Sequence, residues 1–399
     1  MFTEKQIENY ADALLWGLNS AKRTGFQADD VIMIKAHFPA IKLVEALFRK
    51  LLAAKLQPIV RILMTETMEL DYYTIADDKQ LAWLYPWWKD EYQYVRGSIY
   101  IGAQTSLTHL KDIDPKRYQI GARAMKPWRE FVDSQEQKDL FSWTLGIWPM
   151  ECKAEQAGIP LSKVEEQIIK ACYLDSDDVK SDWNRTSDSI DDIKTKLSSM
   201  DIDHLRMKSD NIDLKITLGQ QRKFEGGGGH NIPSFEIFTS PDWRGTEGVF
   251  YADLPSFRGG NIVEGVRLEF KDGVVVKASA KKGEDFLLAT LDTDEDSRKV
   301  GEYSLTDIRH SKIDNFMADT LFDENFGGKH GNSHIAIGSS YADTYAGDQE
   351  ELTPEKKKEL GFTESVVHWD LINTEDKVVT AVMKDGTSTI IYEHGMFTI

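Results

Sequence analysis

The sequence predicts two domains: an N-terminal α/β domain with a parallel sheet, residues 1–200, and a β-rich α+β C-terminal domain, residues 201–399. Three observations carry this. Amphipathic helical segments alternate with short β-branched runs early in the chain. The apolar period changes near residue 200, from helical to alternating. Two Asp-Gly dipeptides, Asp272-Gly273 and Asp385-Gly386, then stand between alternating runs, as tight hairpin turns do.

The elements follow in order. Phe2-Thr3-Glu4-Lys5-Gln6-Ile7 pairs a capping box, Thr3 with Gln6, with a hydrophobic staple, Phe2 with Ile7. Ile7, Tyr10, Ala11, Leu14, Leu15 and Leu18 then mark one buried helical face. Val31-Ile32-Met33-Ile34 reads as a strand, Ala40 to Lys55 as a helix and Ile59 to Leu63 as a strand. That order fits a parallel βαβ unit. Ser98 to Gly102 is a further strand. Ser162 to Met200 reads as mostly helical, with Ser162 and Glu165 at capping-box spacing.

Past residue 200, His204 to Lys208 and Leu214 to Leu218 alternate as strands do. Glu225 to His230 is a glycine-rich loop. The Asp-Gly turns close hairpins between Val266–Phe270 and Val274–Val276, and between Ala381–Met383 and Thr389–Ile391.

Composition narrows the function. The chain has 399 residues, 41% of them hydrophobic, enough to bury a sizeable core. Its formal charge of −18 argues against nucleic acid and against anionic membrane surfaces, both of which need a basic partner. No apolar run is long enough to span a bilayer, and the first residues lack the pattern of a secretion signal. Cys152 and Cys172 form no CxxC, so a thiolate cage is excluded, and two reduced thiols in a cytoplasmic protein are expected. The sequence has no G-x-S-x-G elbow, no P-loop and no H-E-x-x-H. The Gly226 to Gly229 run lacks a following helix and reads as a connection.

Several segments hold chemistry. In Val366-Val367-His368-Trp369-Asp370-Leu371, a strand projects His368 and Asp370 to one side and Trp369 to the other. An imidazole and a carboxylate so placed suit a metal, or form an ordinary hydrogen-bonded surface pair. Phe322 to Tyr341 begins as a glycine-rich loop. Its second half is predicted as a short helix capped by Asn332 or Ser333, with His334, Gly338 and Tyr341 on one face. Glu236 and Glu302 each lie among apolar or aromatic neighbours on apparent strands.

Asn231 to Pro241, Leu321 to Tyr341 and Val367-His368-Trp369-Asp370 together resemble the aminopeptidase T and aminopeptidase S family of metalloaminopeptidases. Order and spacing agree: Glu236 and Glu302 are 66 residues apart, His334 and Tyr341 seven. The resemblance covers nearly the whole chain. It implies a metal site in the C-terminal domain, with Glu236 as a carboxylate ligand of one ion. It implies that Glu302 touches both ions or acts beside them as base, and that Glu324 lies near both. It makes His334 a ligand, His368 and Asp370 the ligands of a second ion, and Tyr341 an active-site residue. The loop between Glu324 and His334 is longer than in the shorter members, and His330 lies within it. The resemblance further implies a homodimer with an enclosed site, acting on short peptides with a free N-terminus.

The chemistry is coherent. Two divalent ions about 3.5–4 Å apart activate a water and polarise a carbonyl. Carboxylates and imidazoles without thiolate suit Zn²⁺, Co²⁺ or Mn²⁺. Glu302 is the expected general base, with Glu324 as runner-up, and Tyr341 the expected oxyanion donor. Two other readings use the same residues: an amidase or phosphoesterase on the same ligands, and a non-enzymatic binding protein whose carboxylates are surface charge or Ca²⁺ ligands.

Overall fold

The computed structural model describes residues 1–399. Contacts divide the chain into two compact units, Met1–Ser187 with Gly227–Ser234, and Asp188–Gly226 with Phe235–Ile399. The division falls inside the helix Val179–Ser199, close to where the apolar period changes.

In the first unit, helix α1 (Glu4–Ser20) opens on the capping box, with the side chains of Thr3 and Gln6 bonded reciprocally to backbone. Strand β1 (Val31–Ala36), helix α2 (Ile41–Ala53) and strand β2 (Gln57–Ile62) form the βαβ unit. With β3 (Val95–Gly102) and β4 (Ser142–Ile147) they make a parallel sheet of order β2-β1-β3-β4. Leu43, Val44, Leu47 and Leu51 on α2, and Tyr10, Leu14 and Leu18 on α1, are buried with Ile32, Ile34, Ile99 and Ile101 of the sheet. Each such side chain contributes roughly 1.5–3 kcal/mol on leaving water. The segment after the glycine run continues this sheet: the Leu145 N–H donates to His230 O at 2.8 Å, and the Ile232 N–H to Leu145 O at 2.9 Å. The helix Leu161–Ala171 follows Pro160 and has no side-chain cap, so the capping box expected of Ser162 and Glu165 is not used. Pro160 stands at the N-cap instead, in an extended conformation.

The second unit is antiparallel. Its strands in chain order are β5 (Ile202–Lys208), β6 (Asp213–Thr217), β7 (Glu236–Thr239), β8 (Glu247–Ala252), β9 (Ser256–Arg258), β10 (Asn261–Val263), β11 (Val266–Lys271), β12 (Val274–Ser279), β13 (Val300–Thr306), β14 (Asn332–Gly338), β15 (His368–Asn373), β16 (Val378–Met383), β17 (Ser388–Glu393) and β18 (Met396–Phe397). Eight make one sheet, ordered β12-β11-β8-β6-β5-β16-β17-β18, and four make another, ordered β15-β14-β13-β7. Both Asp-Gly turns close the expected hairpins, β11–β12 and β16–β17. One core joins Leu205, Met207, Leu214, Phe250 and Leu268 of the large sheet to Tyr303, Leu305, Ile335, Ile337, Trp369 and Leu371 of the small one.

Residues Asn332–Gly338 are a strand, which corrects the helix read there from sequence. Ile335 and Ile337 alternate with His334 and Ala336, and the segment pairs on both sides, with β13 and with β15. Twelve ladder residues on its two neighbours give its backbone partners that an isolated short helix lacks, so pairing overrides local preference.

Candidate metal centre

The small sheet sets the site. Its alternate residues face two ways: Tyr303, Leu305, Ile335, Ile337, Trp369 and Leu371 go to the core. The other set, Glu236, Glu302, Ser304, His334, Ala336, His368 and Asp370, therefore shares the opposite face. All seven residues of β13 and of β14 are buried, so this face is covered as well.

Register places the set. Ser304 pairs with His334 on one side and with Phe238 on the other, while Thr306 pairs with Glu236. Ala336 pairs with both Glu302 and Asp370, and Gly338 with His368. Small residues thus form the floor between the acids. At Gly338, φ is 102°, and an added Cβ would lie 2.1 Å from Val367 O. The chain turns there and returns Tyr341 to the site. The tyrosine ring centroid lies 4.7 Å from that of His368.

His334 Nε2 lies 3.3 Å from Glu236 Oε2, 3.3 Å from Glu302 Oε1 and 3.9 Å from Asp370 Oδ1. His368 Nε2 lies 3.3 Å from Glu302 Oε2 and 3.4 Å from Asp370 Oδ1. Two triplets result, Glu236–Glu302–His334 and Glu302–His368–Asp370, each with ligand atoms within 4.8 Å of one another. Glu302 belongs to both and offers a different oxygen to each imidazole.

Supporting contacts orient these groups. Ser304 Oγ donates to Glu236 Oε2 at 2.9 Å. His368 Nδ1 sits 2.9 Å from Ser339 O, so it carries the proton and Nε2 faces the carboxylates. Arg258 donates to His368 O at 2.7 Å. Glu324 is buried at the end of a short helical turn, with Asn325 Nδ2 3.4 Å from its Oε1. It belongs to neither triplet, although its charge acts on the same group. His330 is apart from the cluster, 3.5 Å from Asp376.

The electrostatics describe a site made for cations. Burial lifts Glu236 to about 7, with His334 opposing and Glu302 reinforcing the rise. Burial and the neighbouring carboxylates Glu236, Asp370 and Glu302 hold Glu324 well above the usual carboxylate range. Burial alone would lower both imidazoles. The bond to Glu302 and the surrounding carboxylates instead raise His334 to about 9, and Asp370 with Glu302 raise His368 to about 10. Glu302 also suffers burial, yet its bonds to His334 and His368 bring it below its ordinary value. Protons here do the work of counter-ions.

The donor set fits divalent metal. Ligand atoms about 3.3 Å apart are what bonds of about 2.0–2.1 Å subtend at tetrahedral angles. The contacts of 3.3 to 3.9 Å are long for hydrogen bonds but suit atoms facing a common ion. Nitrogen and carboxylate oxygen, without thiolate, match borderline ions.

All the site residues expected from sequence are thus at this face or beside it. Ser304, Ala336 and Phe238 were missed. Each had a legible signal: Ser304 lies two residues from Glu302, Ala336 two from His334 and Phe238 two from Glu236, so each shares a strand face with a ligand candidate.

Carboxylates and imidazoles gathered on one face of an antiparallel sheet are the donor set that a metal-dependent hydrolase uses. Residues 3–397 match the thermophilic metalloprotease family, M29, and the chain belongs to that family. It is therefore a peptide-bond hydrolase. Aminopeptidase AmpS of Bacillus subtilis (strain 168) is 31% identical over 310 residues, which cover 72% of this chain and 73% of the relative. Aminopeptidase T of Thermus thermophilus is 29% identical over 344 residues, 81% of each chain. The solved structure of wild-type AmpT from Thermus thermophilus superposes with a TM-score of 0.79 at 24% identity, covering 99% of this chain and all of that one, and shares the fold.

Proposed function

We propose that this chain is a dinuclear aminopeptidase that removes N-terminal residues from short peptides, with residues 201–399 as its catalytic domain. The observation that carries the reading is Glu302, whose two oxygens face two different imidazoles 3.3 Å away. One carboxylate common to two triplets suits a pair of neighbouring ions. Charge supports the pair: the four carboxylates Glu236, Glu302, Glu324 and Asp370 balance two divalent cations when both imidazoles are neutral.

In this reading Glu236, Glu302 and His334 hold one ion, and Glu302, His368 and Asp370 the other. Zn²⁺, Co²⁺ or Mn²⁺ bound there would acidify a water and polarise the scissile carbonyl. The chain's own groups do the rest. Sequence reasoning puts the general base at Glu302, but both its oxygens face imidazoles. Glu324 stands outside the triplets with a raised proton affinity, and we assign the proton uptake to it. Burial and the surrounding carboxylates keep the Tyr341 phenol protonated, so it donates to the oxyanion. A carboxylate-rich pocket also suits the free amine of a peptide. The names of the relatives support cleavage at that end.

The reading extends to a homodimer working in the cytoplasm. The free thiols of Cys152 and Cys172 suit a reducing compartment. No helix is long and apolar enough to cross a membrane.

Elemental analysis of wild type, Glu302→Ala and His368→Ala tests the assignment, paired with aminoacyl-nitroanilides, N-acetylated dipeptides and phosphate monoesters. Two metals per chain, hydrolysis only of free-amine substrates and metal loss in both variants are expected. Cleavage of phosphate monoesters alone would replace the reading with a phosphoesterase. Gel filtration with light scattering checks the dimer.

A further inference from the structure

We infer that Phe238 is the residue that selects the first side chain of the substrate, and that it favours apolar and aromatic residues. This rests on the aminopeptidase reading and deepens it.

Phe238 stands two residues from Glu236 on β7, so both side chains leave the same face of the sheet. It is in register with Ser304, whose other ladder partner is His334. The ring therefore occupies the next place outward in the row that holds an imidazole of the first triplet. It meets Tyr341 edge to face, with centroids 5.7 Å apart, and Tyr341 in turn lies 4.7 Å from His368. Three rings make a continuous wall along one side of the carboxylate cluster. Phe238 is half-buried, so part of this wall stays open to a ligand.

A scissile carbonyl must lie at the triplets, and the first side chain branches one bond from that carbonyl. A wall of ring faces beside the triplets is within its reach. Apolar side chains gain there by leaving water, at about 25 cal/mol per Å². Acidic side chains would lose their hydration against this ring wall with no hydrogen-bond donor on Phe238 to replace it. Tyr341 is committed to the reacting carbonyl in the proposed mechanism. Phe238 carries no polar atom and is free to act by shape alone.

The test compares wild type, Phe238→Ala and Phe238→Leu, loaded with the same metal, on leucyl-, phenylalanyl- and alanyl-nitroanilides. Phe238→Ala is expected to lower kcat/KM for the leucyl and phenylalanyl substrates by about tenfold, mainly through KM, and to change the alanyl substrate little. Phe238→Leu is expected to restore the leucyl substrate more than the phenylalanyl one. Metal content should stay at the wild-type value in both. An unchanged leucyl-to-alanyl ratio in Phe238→Ala would overturn the inference while leaving the peptidase intact. So would a parallel fall on all three substrates with loss of metal. A wild type inert on the whole panel would overturn the peptidase reading, and this inference with it.

Discussion

Ala336 stands in register with Asp370 across the β14–β15 ladder, and it faces Glu302 across the β13–β14 ladder. A methyl group is thus the floor between two carboxylates that belong to a common triplet. Room for an ion above the sheet depends on this residue staying small. Ala336→Leu should abolish tight metal binding while the sheet survives, because overpacking costs about 1–3 kcal/mol. Elemental analysis beside a far-ultraviolet circular dichroism spectrum checks this. Full metal content in the variant would show that the ions lie elsewhere.

Glu302 and Glu324 should separate cleanly. Glu302→Gln removes the carboxylate common to both triplets and should strip the metal. Glu324→Gln should keep the metal and lose about 10²–10⁴-fold in kcat, the range of a general base. Metal loss in Glu324→Gln would make it a ligand instead.

Ser304 supplies the hydroxyl that holds Glu236. Ser304→Ala should weaken metal affinity by about 10–100-fold, as loss of an outer partner does, without unfolding the chain. Competition with a chelator measures it. Unchanged affinity would reduce that hydrogen bond to a bystander.

Tyr341→Phe keeps the ring against His368 and removes only the hydroxyl. The expected result is a fall in kcat of about 10²–10³-fold with metal content and KM near wild type. A change in KM alone would assign Tyr341 to binding.

The metal-free protein should lose stability as pH rises. Glu236 is raised to about 7 from 4.5, and His334 and His368 to about 9 and 10 from 6.5. A raised group stabilises the fold below its unfolded value, and that contribution is lost as pH climbs through the folded one. The window therefore runs from about pH 5 to about pH 10. Asp370, burial notwithstanding, is drawn down to about 2 by His368, and its contribution is lost only in strong acid. Bound metal takes the place of these protons. The gap in Tm between loaded and chelated protein should widen steadily from pH 6 to pH 9. A constant gap would contradict the exchange. At limiting metal, activity should fall as pH drops below about 9, where protons compete for the imidazoles, and added metal should move that fall to lower pH.

Much of this was legible in the chain itself. Thr3 and Gln6 announce the first helix, and Asp272-Gly273 and Asp385-Gly386 announce their hairpins, because caps and turns depend on residues within four positions of each other. His368 and Asp370 share a strand face for the same local reason. The stretch from Asn332 was misread because His334, Gly338 and Tyr341 fit helical spacing, and only ladders to β13 and β15 reveal the strand.

By itself, the sequence determined most of the kinds of element and the order of the chemistry-bearing residues. Tertiary structure decided that Glu302 joins two triplets, that Ala336 and Ser304 form the floor, and that Glu324 stands outside both triplets. Those facts come from strand register between segments far apart in sequence. Register is fixed by burying one face of a sheet, an energy summed over the whole core that no local window of residues contains.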